Sequence, residues 1–138
     1  MKLFYYKFRA FVVTWLLRLL PRNAPVVYKG PGSALVLAEQ VAVLGINKVL
    51  IVTDDFLGKS GILDGIKQQL DKDGVAYAIF DGVLPDPAFD QVQAGEAVLR
   101  TEACEAVLAV GGGSVLDAAK MIALLHTNPG DLKFFDGI

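Results

Sequence analysis

The 138-residue chain is 54% hydrophobic and 20% charged with a formal net charge of -2, a composition that suits one globular domain with a sizeable core and excludes disordered and collagen-like classes. One cysteine, Cys104, excludes an internal disulfide and any cysteine metal spacing, and one histidine, His126, excludes a histidine cluster. Residues 1–38 carry Lys2, Lys7, Arg9, Arg18, Arg22 and Lys29 without a single acid, whereas every Asp and Glu lies from Glu39 onward, so the amino-terminal arm is basic and the remainder net acidic.

Residues 1–20 read as an apolar, basic helix, with Phe4, Phe8, Phe11, Trp15 and Leu19 at helical spacing. The stretch between Arg9 and Arg18 covers only ~12 Å of helix, far short of the ~30 Å hydrocarbon core, so the helix is not expected to span a bilayer. Arginines interrupt the apolar run and no small-residue cleavage site follows, which argues against a signal peptide. Two roles stay open: packing on protein, including a subunit contact in a homo-oligomer, or a peripheral contact with an anionic membrane surface. The first is favoured, and the expected location is cytoplasmic. The helical extension is placed at residues 1–22 and an α/β domain at residues 23–138.

Pro21 and Pro25 mark a connection, and residues 26–29 (Val-Val-Tyr-Lys) look like a short strand stopped by Gly30-Pro31-Gly32. Ser33 is the expected N-cap of a helix running to Leu44 and closed by Gly45. Residues 48–53 form a continuous apolar run, the pattern of a buried parallel strand, ending in Asp54-Asp55. A helix over residues 61–72, closed by Gly74, leads to a strand over 75–80. A loop with Pro85-Asp86-Pro87 then precedes a helix over 88–103 whose Phe89, Val92, Val98 and Leu99 share one side. Cys104, at that helix end, reads as a small semi-buried side chain.

Residues 106–110 (Ala-Val-Leu-Ala-Val) form the next strand, which breaks into Gly111-Gly112-Gly113-Ser114 and passes at once into a helix over 114–125. Such a turn leaves backbone N–H groups unpaired at the positive end of a helix dipole, and glycines let an anion reach them. A phosphate cradle is favoured over a bare strand-to-helix turn, because three glycines and a serine exceed what a turn needs. The alternation of β and α segments predicts a doubly wound, mainly parallel, Rossmann-like α/β sheet.

The turn is neither a P-loop nor the usual dinucleotide fingerprint, since Leu116 stands where the third glycine belongs and the acids at a strand end, Asp54 and Asp55, come earlier in the chain. A doubly wound sheet nevertheless brings the strand ends to one crevice. There Asp54 can accept from a ribose diol and repel a 2′-phosphate, or simply cap a helix. Asp117 suits either capping with Ser114 or contact with a ligand. Lys120 reads as a solvated cation and His126 as a helix C-terminal residue.

The run Gly111-Gly112-Gly113-Ser114-Val115-Leu116-Asp117-Ala118-Ala119-Lys120 resembles the GGGSxxDxAK signature of the iron-containing (group III) alcohol dehydrogenases. The Gly30-Pro31-Gly32-Ser33 turn, the Val-Leu-Ile-Val-Thr-Asp strand ending in Asp54, the Asp81-to-Pro87 segment and Thr127-Asn128-Pro129-Gly130-Asp131 agree with it, so the resemblance covers residues 26–138. It implies an NAD-dependent dehydrogenase of small alcohols and aldehydes, with an α/β cofactor domain followed by an all-helical metal domain. Carried over residue by residue, Asp54, Asp86, Gly112, Gly113, Ser114 and Asp117 would bind the dinucleotide. Asp86 stands where the family usually has Asn.

The family's three metal-ligating histidines and one aspartate have no counterpart here, since His126 is alone. The chain is therefore expected to correspond to an amino-terminal portion of such an enzyme. Iron or zinc is expected only in the complete architecture, with no metal ligand or catalytic residue in these 138 residues. The expected partners are a dinucleotide and a small alcohol or aldehyde, with no nucleic acid. Two alternatives remain: a non-catalytic nucleotide-binding or interaction module, and a relative of the polyol dehydrogenases.

Overall fold

A computed structural model describes residues 26–85 and 89–128. The expected amino-terminal helix and Asp86 lie outside the described residues. Helix α1 (Ser33–Val43) leads to strand β1 (Lys48–Val52), short helix α2 (Asp55–Lys59), helix α3 (Asp64–Lys72) and strand β2 (Ala76–Phe80). Helix α4 (Phe89–Thr101), strand β3 (Ala106–Ala109) and helix α5 (Gly113–Thr127) follow. The three strands are parallel in the order β2-β1-β3, which bears out the α/β reading.

Strand β1 is central, and its period of two divides the core. Leu50 and Val52 face α4 and α5, where Val92, Leu99, Val115 and Ile122 pack on them. Val49 and Ile51 face α1 and α3 and meet Ala38, Val41, Ile66 and Leu70. All four strand residues are fully buried, as a strand covered on both faces must be. Gly95 on α4 allows the close crossing with α5, since a Cβ there would collide with the Ile122 side chain and sit 3.1 Å from Phe80.

Three helices end in the same way, and each ending aims the chain into a strand. Gly45 (φ 74°) and Gly74 (φ 72°) are left-handed, with Ile46 N–H donating to Val41 and Val75 N–H to Leu70 across the cap. Ala103 does the same at φ 50° after α4, with Cys104 N–H donating to Leu99 at 3.0 Å. An alanine in this region carries strain of about 1 kcal/mol that glycine would not. Cys104 is thereby buried at the amino-terminal end of β3, and burial pushes its thiol pKa up.

Four local expectations are corrected. Residues 26–29 form no strand, and Val26 and Val27 are largely exposed, because they join neither free edge of the sheet. Ser33 is the first helical residue, and Gly32 (φ 80°) takes the N-cap with no side-chain cap, since the Gly30-Pro31-Gly32 turn sets the entry by itself. The helix expected over 61–72 starts at Asp64, because Gly61 is left-handed and α2 precedes it. Phe89 is half-exposed and stands apart from the buried Val92 and Leu99.

Candidate functional site

From β1 the chain winds to β2 on one side and returns past β1 to β3 on the other. The reversal lies at the carboxyl ends of β1 and β3, the place where a doubly wound sheet opens a crevice. Both ends are pinned. The fully buried Thr53 donates its hydroxyl to the Val110 carbonyl at 2.8 Å, and Val110 N–H donates to Val52 at 2.9 Å. At the opposite end, Glu105 accepts from the Asn47 backbone at 2.8 Å, and these bonds hold its carboxyl below the usual range.

Above the pinned ends lies a cleft of about 450 Å³, within the size range of small-ligand sites. One wall is the turn into α5, where Gly112, Gly113, Ser114 and Val115 line the space. Gly112 occupies the N-cap with extended backbone (φ -80°, ψ -169°) and no side chain caps the helix. The first intrahelical bond is Leu116 N–H to Gly112 at 3.0 Å, so the four preceding N–H groups have no partner within the helix. A Cβ on Gly112 or Gly113 would meet nothing within 4 Å, whereas one on Gly111 would strike the Val115 side chain. Gly111 thus serves strand-to-helix packing, while Gly112 and Gly113 keep a space clear in front of donors that have no partner among the described residues. An anion suits that space, with the dipole of a 15-residue helix behind it.

Asp54, Asp55 and Phe56 line the same space. Asp54 caps α2, its Oδ1 accepting from Leu57 N–H at 2.8 Å. Capping and cleft-lining are thus one arrangement, since the cap orients the carboxylate and leaves Oδ2 for a ligand. Asp55 pairs with Lys59 across one helical turn, an ion pair whose hydrogen bond raises the lysine pKa. Val83, Leu84 and Pro85 complete the lining, and Leu84 N–H is tied to Gln91 Oε1 at 3.1 Å.

The structure therefore brings Asp54, Gly112, Gly113 and Ser114 together, as the crevice argument expects. Asp117 is not among the lining residues. Its exposed carboxylate pairs with Lys120 at 3.1 Å, and it does not share a cap with Ser114. His126 closes the last turn of α5, with Nδ1 3.2 Å from Glu96 Oε1. Sequence reasoning missed Thr53, Phe56, Leu84 and the separate duty of Gly111. Phe56 carried a usable signal, being an aromatic placed directly after the acids of a strand end.

Among the described residues no three His, Cys, Asp or Glu side chains converge to hold a metal, and no helix is long and apolar enough to cross a membrane. A family profile described as iron-containing alcohol dehydrogenase matches residues 24–137. The chain is similar to 1,3-propanediol dehydrogenase of Klebsiella pneumoniae, with 41% identity over 111 residues, 79% of this chain and 29% of that one. It is also similar to the NAD-dependent methanol dehydrogenase of Bacillus methanolicus, at 36% identity over 109 residues with the same two shares, 79% and 29%. The crystal structure of NADH-dependent butanol dehydrogenase A from Thermotoga maritima superposes with a TM-score of 0.69 at 33% identity, over 78% of this chain and 29% of that one. The chain spans less than a third of the length of the curated relatives it matches.

Proposed function

Because this chain belongs to the iron-containing alcohol dehydrogenase family, we propose that its α/β unit is the NAD-binding portion of an oxidoreductase interconverting small alcohols with aldehydes or ketones. The observation that carries this reading is that one cleft is lined both by the open Gly112-Gly113 turn and by the capped Asp54. Unpaired N–H groups at the start of α5 hold the diphosphate. Asp54 Oδ2 accepts from the hydroxyls of the adenosine ribose and disfavours a 2′-phosphate by like charge. Asp86 and Asp117 complete the set that the resemblance carries over. Lys120 engages only Oδ1 of Asp117, which leaves Oδ2 for a ligand.

When bound, NAD supplies the hydride acceptor at its nicotinamide, while these residues bind it and set its orientation. Among the described residues no set of side chains fits iron or zinc. Titration of ¹⁵N-labelled chain with NAD should shift the Gly112, Gly113 and Ser114 amides in a saturable way. Shifts confined to other regions would overturn the reading. The 138-residue chain is expected to bind NAD weakly, to retain no stoichiometric iron or zinc, and to turn over no alcohol. Turnover with tightly held metal would refute that assignment.

A further inference from the structure

Phe56 is 78% exposed, an unusual setting for a large aromatic ring that lines a cleft. It lies on the first turn of α2, two residues after Asp54, and the cap that orients the carboxylate also fixes this turn. Leu84 lines the same cleft and is 58% exposed, with its backbone held by Gln91, and Pro85 follows it. The polar half of the cleft, the glycine turn and Asp54, accounts for a diphosphate and a ribose. Its apolar half has no such use yet.

We propose that Phe56 on one side and Leu84 with Pro85 on the other clamp the purine base of the dinucleotide. This rests on the reading of the cleft as an NAD site. A ribose held by Asp54 places its base a few ångströms away, and the cleft-lining aromatic ring nearest in the chain is Phe56, two residues along the same capped turn. A base is a planar aromatic body that gains from stacking without hydrogen-bond readout. Leu84 and Pro85 offer rigid apolar cover, and no charged side chain is needed in this half. Phe56 is on this account a positioning residue: it sets where the adenosine end lies, and through the diphosphate where the nicotinamide end points.

Truncating an exposed side chain changes stability little, so binding and folding separate cleanly. ADP-ribose and inorganic pyrophosphate are titrated into the ¹⁵N-labelled 138-residue chain, following the Gly112 and Gly113 amides. Phe56→Ala should weaken ADP-ribose about tenfold, leave pyrophosphate unchanged and leave Tm within about 2 °C, while Phe56→Trp restores the parent affinity. If Phe56→Ala binds ADP-ribose as the parent does, the clamp fails while the phosphate site stands. Equal weakening of pyrophosphate would show that Phe56 shapes the turn instead, which also overturns the clamp. If ADP-ribose leaves the parent's glycine amides unmoved, the NAD reading and the clamp fall together. A concentration-dependent dimer that Phe56→Ala abolishes, with ADP-ribose affinity unchanged, would assign the ring to a subunit contact.

Discussion

A methyl group added at Gly111 would lie 2.6–2.9 Å from three atoms of the Val115 side chain, whereas one added at Gly112 would meet no heavy atom within 4 Å. Val115 is β-branched and buried in the first turn of α5, so its rotamer cannot swing aside and the backbone must shift. Gly111→Ala should therefore cost about 1–3 kcal/mol as an overpacking change, visible as a Tm drop of about 3 °C or more for a domain of this size. Gly112→Val behaves differently. Losing a favourable N-cap residue and reducing the freedom of the unfolded chain are opposed effects of similar size, so net stability should move by only about 0.5 kcal/mol. The valine branches would instead fill the space in front of the unpaired N–H groups. One charge-assisted hydrogen bond lost corresponds to about 1.5–3 kcal/mol, so NAD affinity should fall about 10- to 150-fold. Calorimetric unfolding paired with NAD titration reads both quantities in each variant. Gly112→Val binding NAD as tightly as the parent would place the phosphate site elsewhere, and an unchanged Tm in Gly111→Ala would refute the packing argument.

Asp54→Asn keeps an acceptor for the α2 cap while removing the charge, so the preference for NAD over NADP should narrow at constant Tm; tighter NADP binding by the parent would contradict the role given to Asp54. Thr53→Val is close to isosteric but strips the Val110 carbonyl of its buried donor, and denaturant unfolding should show a loss of about 1–3 kcal/mol. Glu105 has a carboxyl pKa lowered first by the Asn47 backbone N–H and then by its side chain. A depressed pKa stabilises the fold above the ordinary glutamate value and loses that contribution as pH falls through the folded value. Stability should therefore decline from about pH 5 toward pH 3, and Glu105→Gln should flatten that slope; an unaltered slope would show that other carboxylates set it.

The central strand, the helix ends at Gly45 and Gly74 and the position of the glycine turn were legible in the sequence because each rests on local chemistry: a buried apolar run, a residue free to turn left-handed, a run of missing side chains between a strand and a helix. The edges were less legible. Whether residues 26–29 form a strand depends on a partner that no local pattern can supply, and Ala103 adopts a left-handed ending with none of the composition that advertises one. At the site, residue types pointed to Asp54, Gly112, Gly113 and Ser114, but only the strand order β2-β1-β3 puts β1 and β3 side by side. Separation in sequence hides that neighbourhood, since Thr53 and Val110 are 57 residues apart and share one hydrogen bond. Tertiary structure also divided the glycines, giving Gly111 to packing and the next two to open space. A side chain's type states what chemistry it can offer, and the winding of the sheet decides which of those offers meet in one cleft.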